Sequence, residues 1–166
     1  PWPVTRGKYI MVLAADDYLL PDFAEKCVTA LDANTLAPGV YTNYVEWYEA
    51  DGIKKVHRCP AFDRKTLLAR DFVNFSALVF RFVTPLDDGW TPVADWDALI
   101  RMTKYRPLVH LPEILAVRRI HSAQVSAGLG GPKMMWKRLL LPYRYAGFVA
   151  ATRAALWRLN GAIWYL

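Results

Sequence analysis

The feature that most constrains this chain is an apolar run, residues 9–15, that ends at two adjacent carboxylates, Asp16 and Asp17. Pro21 follows, and a helical pattern begins there. An apolar run of this length between turn signals predicts a buried parallel strand. Because ligands of open α/β sheets bind beyond the carboxyl ends of the strands, the two carboxylates are placed to hold a divalent cation. Spacing alone leaves an alternative equally open, in which they form a turn and cap the next helix.

The rest of the chain reads as an alternation of strands and helices. Helices are predicted from Pro21 to about residue 34, from Asp63 to Ala69, and from residue 94 or 95 to about 105. Strands are predicted over residues 40–48, 53–58, 76–82, 107–111 and 114–120. Asp51-Gly52 is a hairpin signal, and the polar strand that follows it is expected at a sheet edge.

Composition and charge bound the class of protein. A chain of 166 residues that is 54% hydrophobic can bury a core, so it is one ordinary domain or part of a larger one. Residues 1–113 have 13 basic and 15 acidic residues, whereas residues 114–166 have eight basic residues and no acid. This asymmetry predicts an anionic partner for the C-terminal end. Cys27 and Cys59 lack metal-binding spacing and suit a reducing compartment.

A glycine-rich stretch, residues 128–132, separates residues 1–127 from a basic and aromatic tail, residues 128–166, that is helical in pattern. Pro142 predicts a break between two helical segments of this tail. Its basic residues are interleaved with Trp and Tyr, as in helices that lie on anionic lipid. The alternative, that its apolar residues pack on the core, has equal support. We expect no signal peptide, no transmembrane helix and no nucleic-acid partner.

Three segments combine these patterns with charged residues: RGKYIMVLAADD at 6–17, VADWDALIRM at 93–102 and VRRIHSAQVS at 117–126. In order and spacing they resemble the D-x-D segment, the E-D-W-D segment with the catalytic base, and the closing R-x-H-x-x-Q-x-S segment of family-2 inverting glycosyltransferases. The resemblance covers about residues 6–126. It implies the second half of a GT-A domain: a partial GT-A fold of the α/β class, with a mixed sheet flanked by helices and a helical C-terminal tail.

The resemblance also implies roles for particular residues. Asp95 would be the catalytic base, and Asp16 and His121 would bind Mn²⁺ or Mg²⁺. The residues implied in donor binding are Asp17, Arg118 and Arg119, and those implied on the acceptor side are Asn74, Ser76, Trp96 and Asp97. Such enzymes transfer a sugar from a nucleotide-diphospho-sugar to a hydroxyl of a glycan or glycolipid, with inversion. A cytoplasmic location at the inner face of a membrane would suit this activity.

Two departures from the family pattern favour a domain that has lost its catalytic activity. Ala14 replaces the first acid of the D-x-D segment, and Ala94 replaces the Glu that precedes the base. In addition, only five residues precede Arg6, so the nucleotide-binding βαβ units of the family are expected to be missing and the chain to be a fragment, a split protein or a decayed homologue. The alternative to an enzyme is therefore a degenerate, non-catalytic domain that binds a glycan, a membrane or a partner chain.

Overall fold

The computed structural model describes residues 6–81, 86, 89, 93–124 and 132–163. Within this part of the chain it is a mixed α/β structure with six strands and four α-helices. The strands are β1 (Ile10–Met11), β2 (Tyr18–Leu19), β3 (Gly39–Tyr48), β4 (Ile53–His57), β5 (Leu78–Phe80) and β6 (Val109–Ile120). The helices are α1 (Phe23–Ala33), α2 (Arg64–Ala69), α3 (Ala94–Met102) and α4 (Pro132–Ile163), and a 3₁₀ turn (Phe75–Ala77) precedes β5.

The described strands form one mixed sheet in the order β1-β5-β3-β6-β2, with β4 paired to the second half of β3. β3 and β6 are parallel, and the other pairs are antiparallel. The two strands predicted at residues 107–111 and 114–120 are one strand, β6. Its register against β3 shifts between Thr42 and Tyr44, on the stretch that contains Pro112, which has no N–H for a ladder hydrogen bond.

Successive residues of β3 point into two apolar layers on opposite faces of the sheet. Val40 belongs to the layer formed with Phe23, Cys27 and Leu31 of α1. Tyr41 belongs to the other layer, which α2, α3 and the beginning of α4 complete. The members contributed by these three helices are Leu67, Trp96, Leu99, Ile100, Met102 and Leu141. The sheet is therefore flanked by helices on both faces, as expected.

Several local predictions are confirmed. α1 follows Pro21 closely, and β3 and β4 form the predicted hairpin, in which Gly52 has a φ of 66° that glycine adopts without strain. β4 pairs only with β3 among the described strands, so it lies at an edge. Asp63 caps α2 by accepting a hydrogen bond from the Thr66 backbone N–H at 2.7 Å.

The prediction of a buried parallel strand over residues 9–15 is wrong. Only Ile10 and Met11 are in strand conformation, both are half-buried, and they pair antiparallel with β5. Among the described strands β1 has a neighbour on one side only, and β5 is three residues long, so the ladder is short. Leu13 is 44% exposed, because the chain leaves the sheet there and enters a turn closed by Asp17 N donating to Ala14 O at 3.1 Å.

The predicted break of the tail at Pro142 is also wrong. The helix continues through Pro142 and breaks at Gly147, whose φ of 72° and ψ of −169° are not helical. Pro142 is buried beside Leu141 on the helix face that packs on the core, and glycine is the residue that reaches a positive φ at least cost. The glycines 128, 130 and 131 of the predicted link lie outside the described residues. None of the described helices is both long and apolar enough to cross a bilayer.

Candidate functional site

One cleft, with a volume of about 860 Å³, gathers most of the charged motif residues. Its walls are the turn after β1, the segment between α2 and β5, the beginning of α3, the end of β6 and one residue of α4. Nine of the ten residues that the resemblance implicates line it: Asp16, Asp17, Asn74, Ser76, Asp95, Trp96, Arg118, Arg119 and His121. Folding thus brings four distant sequence segments to one place.

The acidic turn lies directly against the end of β6. His121 Nε2 is 3.2 Å from Asp16 Oδ2, although 105 positions separate the two residues. Asp17 Oδ1 accepts a hydrogen bond from the Arg119 backbone N–H at 3.1 Å. The Ala14 backbone N–H donates to Ser76 Oγ at 3.2 Å, which ties the same turn to the opposite wall. Asp17 and Ser76 therefore hold the turn, and Asp16 is left facing His121.

Asp16 Oδ2 and His121 Nε2 are the two donor atoms that these residues would offer to Mn²⁺ or Mg²⁺. A carboxylate oxygen and an imidazole nitrogen both bind Mn²⁺, and Mg²⁺ is commonly held by one or two carboxylates together with substrate phosphates and water. The described residues contain no cluster of three or more His, Cys, Asp or Glu side chains that could hold a metal. Ala14 stands in this turn where the D-x-D segment has its first acid, so a methyl group takes the place of a carboxylate oxygen. The residues fit a cation that is shared with a phosphate ligand, and they do not form an all-protein cage.

Asp95 lies in the first turn of α3, and its environment favours the protonated carboxyl group. Burial raises the pKa of Asp95, and the hydrogen bond that its Oδ1 accepts from the Trp96 backbone N–H at 2.8 Å opposes this. The Trp96 indole is 2% exposed, and its Nε1 donates to Leu67 O at 2.7 Å. Trp96 thus fixes the start of α3 against α2, and thereby the position of Asp95.

The pattern of the sequence did not single out Asp71, which the structure places in the same cleft as Asp95. Asp71 Oδ1 accepts a hydrogen bond from the Val73 backbone N–H at 3.2 Å. Asp71 is solvent-accessible within the cleft, but the surrounding protein and the charge of Asp95 hold its pKa above the usual range. A single Asp in a loop after a short helix carries no periodic signal, so only the fold reveals this second carboxylate.

Arg138 is the other charged residue of the cleft that the sequence did not predict, because its basic segment was assigned to the tail. It is an exposed residue of α4 that lines the cleft. Its positive charge lowers the pKa of both Asp71 and Asp95, against the larger effect of burial. The contact depends on how α4 packs against α2 and α3, which no local pattern reports.

Arg118 and Arg119 line the cleft from the end of β6, each with a carboxylate partner. Arg118 Nη1 donates to Glu46 Oε1 at 3.2 Å. Glu46 also accepts a hydrogen bond from the Tyr48 hydroxyl, so its position is fixed. Arg119 Nη2 donates to Glu49 Oε1, and its buried Nε has no hydrogen-bond partner among the described residues. That N–H is available to an acceptor in the cleft.

Asn74 and Ser76 shape the opposite wall. Asn74 Oδ1 caps the 3₁₀ turn by accepting from the Ser76 backbone N–H at 3.1 Å. Its Nδ2 is buried and has no hydrogen-bond partner among the described residues. A buried amide donor without a partner costs free energy unless a ligand or water accepts from it, so this wall presents a donor to the cleft.

Asp97, which was implicated on the acceptor side, is not among the residues that line the cleft. Two residues of an α-helix span about 200° of rotation, so Asp97 points away from Asp95 across α3. Its side chain is fully buried, where it accepts from Arg101 Nε at 2.8 Å and from the Tyr145 hydroxyl at 2.7 Å. Asp97 joins α3 to α4.

The fold and the cleft define a class: a mixed α/β protein with an acidic turn, a carboxylate pair and arginines in one cleft. No family model matches the chain. It is 28% identical over 119 residues to the uncharacterized protein y4gI of Sinorhizobium fredii, a match that covers 68% of this chain and 13% of that protein. It is 25% identical over 126 residues to a chondroitin synthase of Escherichia coli, covering 73% of this chain and 18% of the synthase. The chain thus spans less than a fifth of either relative, and the second match is a distant sign of a glycosyltransferase relationship.

Proposed function

We propose that this chain is the acceptor-side part of a GT-A glycosyltransferase that transfers a sugar from a nucleotide-diphospho-sugar to a hydroxyl group of a glycan or glycolipid. The observation that carries the proposal is the approach of Asp16 to His121 at 3.2 Å, in a cleft that also contains Asp95. The mixed α/β fold is compatible with a partial GT-A domain. The similarity to a chondroitin synthase supports the same class of reaction.

In this proposal Asp16 and His121 hold Mn²⁺ or Mg²⁺, and Asp17 and Ser76 fix the turn that presents Asp16. The cation supplies positive charge near the diphosphate leaving group. Arg118 and Arg119 lie on the same side of the cleft and add guanidinium groups suited to phosphate oxygens. The free Nε–H of Arg119 is one such donor.

Asp95 acts in the proposal as the general base that accepts the proton of the acceptor hydroxyl. Burial raises its pKa, which makes the ionised carboxylate a stronger base. The attack takes place from the face opposite the leaving group, so the anomeric configuration inverts. Asn74 offers its unpartnered amide donor to the acceptor side, and Trp96 keeps the start of α3 in place.

Ala14 and Ala94 favour a second candidate, a non-catalytic domain that keeps the cleft but has lost the reaction. Each replaces a family carboxylate with a methyl group, and the described residues supply two metal ligands where three or more would form a tight site. This candidate predicts binding of a glycan or a partner chain without turnover. Two free, buried cysteines suit the cytoplasmic location that we propose for either candidate.

Mn²⁺-dependent binding of a nucleoside diphosphate, measured by titration calorimetry on the 166-residue chain, tests the cation site. Asp16→Ala and His121→Ala are each expected to weaken binding by about tenfold or more, because each removes one of two protein ligands. The matched control is Asp51→Ala, in the exposed hairpin turn, which leaves binding unchanged. Equal binding by the wild type and Asp16→Ala would refute the metal assignment.

Release of nucleoside diphosphate from a panel of nucleotide-diphospho-sugars, with oligosaccharide acceptors and Mn²⁺, separates the two candidates. The longest natural form of the protein is the sample. A transferase loses nearly all turnover in Asp95→Asn and keeps Mn²⁺ binding, because Asp95 acts on the acceptor proton alone. Cation binding without turnover in the wild type would support the non-catalytic candidate.

A further inference from the structure

α4 is attached to the core by one face only. Leu141 is fully buried in the layer formed with α2 and α3. Four residues later, Tyr145 donates its hydroxyl hydrogen bond to Asp97 at 2.7 Å. Residues four apart lie on the same side of an α-helix, so this face is fixed against the domain.

The opposite face carries an exposed apolar stripe, which we define as Trp136, Leu140 and Tyr143. These residues are spaced at i, i+4 and i+7, so they share one side of the helix. Their exposed fractions are 63%, 49% and 56%, and Met135 beside them is 62% exposed. A cluster of large exposed apolar side chains on one surface marks a binding site more often than scattered single residues do.

The charge of this region identifies the partner. α4 itself, residues 132–163, contains six basic residues and no acid. Arg144 follows the stripe directly; its side chain is 44% exposed, and its Nη1 lies 3.9 Å from Asp97 Oδ1. A second copy of the chain would bring the same positive charge to the same face, so like charges oppose self-association there. An anionic surface has the complementary charge, and Trp and Tyr are the residues that favour the membrane–water boundary.

We propose that the stripe binds the surface of an anionic lipid bilayer, with α4 lying parallel to the membrane plane. Leu140 and Trp136 enter the boundary between headgroups and acyl chains, and the net positive charge of α4 attracts the helix to the anionic surface. Arg138 follows Trp136 by two residues and therefore lies on the opposite side of α4, where it lines the cleft, so a docked stripe leaves the cleft on the side of α4 away from the bilayer. The inference concerns binding alone and does not depend on the proposed transfer reaction.

Co-sedimentation of the 166-residue chain with vesicles tests the proposal. Vesicles of phosphatidylcholine with about one third phosphatidylglycerol are compared with pure phosphatidylcholine, in dilute salt. We expect binding to the anionic vesicles, a reduction of about tenfold or more in Trp136→Ser/Leu140→Ser, and no change in Leu36→Ser/Tyr105→Ser. The control pair is 67% and 81% exposed and lies away from the stripe.

Equal vesicle binding by the stripe variant and the wild type would overturn the proposal. Equal binding of the wild type to anionic and to pure phosphatidylcholine vesicles would overturn it too. A dimer in light scattering that the stripe variant dissociates would assign the stripe to a second copy. A variant that changes a single residue of the stripe guards against misfolding of the double variant. Leu140→Cys labelled with a polarity-sensitive dye should shift to the blue on anionic vesicles, and the same label at Tyr105→Cys should not. The native cysteines do not compete, because both are buried and burial raises the pKa of the Cys59 thiol to about 11.

Discussion

Asp71 and Asp95 bring two carboxylates into the same cleft, with Arg138 as the neighbouring positive charge. Desolvation and like charge both disfavour two ionised carboxylates at such a place. The pKa of Asp71 is raised relative to the unfolded chain, so the folded state holds its proton more tightly. Asp71 therefore stabilises the folded state at low pH, and this contribution to the free energy of unfolding is lost as the pH rises through the raised pKa.

We predict that Asp71→Asn stabilises the protein at alkaline pH and has little effect in acid. The amide is isosteric and neutral, and its oxygen still accepts the Val73 hydrogen bond. Because Asp71 is solvent-accessible, screening keeps the gain modest, about 1 kcal/mol or less, or about 2–4 °C in melting temperature. Thermal melts at about pH 3, below the unfolded pKa of an aspartate, and at about pH 9 measure it, with Asp51→Asn as the exposed control. An equal loss of stability at both pH values would contradict the prediction.

At the scale of elements, α3 presents two aspartates to two different surroundings. Asp95 faces the cleft, whereas Asp97 faces α4 and is fully buried with Arg101 and Tyr145. Removal of one partner from a buried ion pair leaves the other partner without compensation. The same short segment thus contributes one residue to the proposed chemistry and one to the attachment of α4.

We predict that Asp97→Ala lowers the free energy of unfolding by about 3 kcal/mol, because Arg101 and the Tyr145 hydroxyl lose their acceptor. Asp95→Asn should change stability by less than about 1 kcal/mol, since the amide oxygen still accepts from Trp96 N. Urea denaturation of both variants gives the comparison. Similar stabilities of the two would show that Asp97 is not a structural link.

β3 begins at one glycine, Gly39, and the hairpin turn that follows β3 contains a second, Gly52, and the two are required for different reasons. A Cβ on Gly39 would lie 2.8 Å from the backbone oxygen of Val79 on β5 and 3.1 Å from Leu108 Cδ2. A Cβ on Gly52, in the hairpin turn, meets no atom within 4 Å, but its φ of 66° is unfavourable for other residues. The first glycine permits close packing of strands, and the second permits the turn.

We predict that Gly39→Ala destabilises the protein more than Gly52→Ala does. The first substitution forces the β5 backbone to move, at a cost of about 2–3 kcal/mol. The second costs about 1 kcal/mol of backbone strain. Chemical denaturation measures the free energy of unfolding of both variants. The reverse order would show that moving the β5 backbone costs less free energy than straining the turn.

At the scale of the whole molecule, sequence reasoning succeeded where the signal was local. The hairpin at Gly52, the cap at Asp63 and the helix after Pro21 each depend on neighbouring residues, and all are present. The association of Asp16, Asp95 and His121 was anticipated through their resemblance to a family, and the fold places them in one cleft.

The remaining features depend on contacts between distant elements. Residues 9–15 are apolar, but the strands beside such a run decide whether it becomes a buried parallel strand. Here its neighbour is β5, which pairs antiparallel with only two of its residues. Arg138 reaches the cleft that contains Asp71 and Asp95 because α4 packs against α2. Pro142 was expected to end a helix, yet its burial with Leu141 keeps the helix together and the break falls at Gly147.

The turn that contains Asp16 and Asp17 connects β1 to β2, and each of these strands has only two residues. Segments with so few ladder hydrogen bonds open locally at a small fraction of the global unfolding free energy. A ligand that requires the closed turn then binds with an affinity reduced by the fraction of molecules in which the turn is formed. Under the proposed function, the hydrogen bonds from Ala14 N to Ser76 Oγ and from Arg119 N to Asp17 Oδ1 would therefore strengthen binding by raising the population of the competent state.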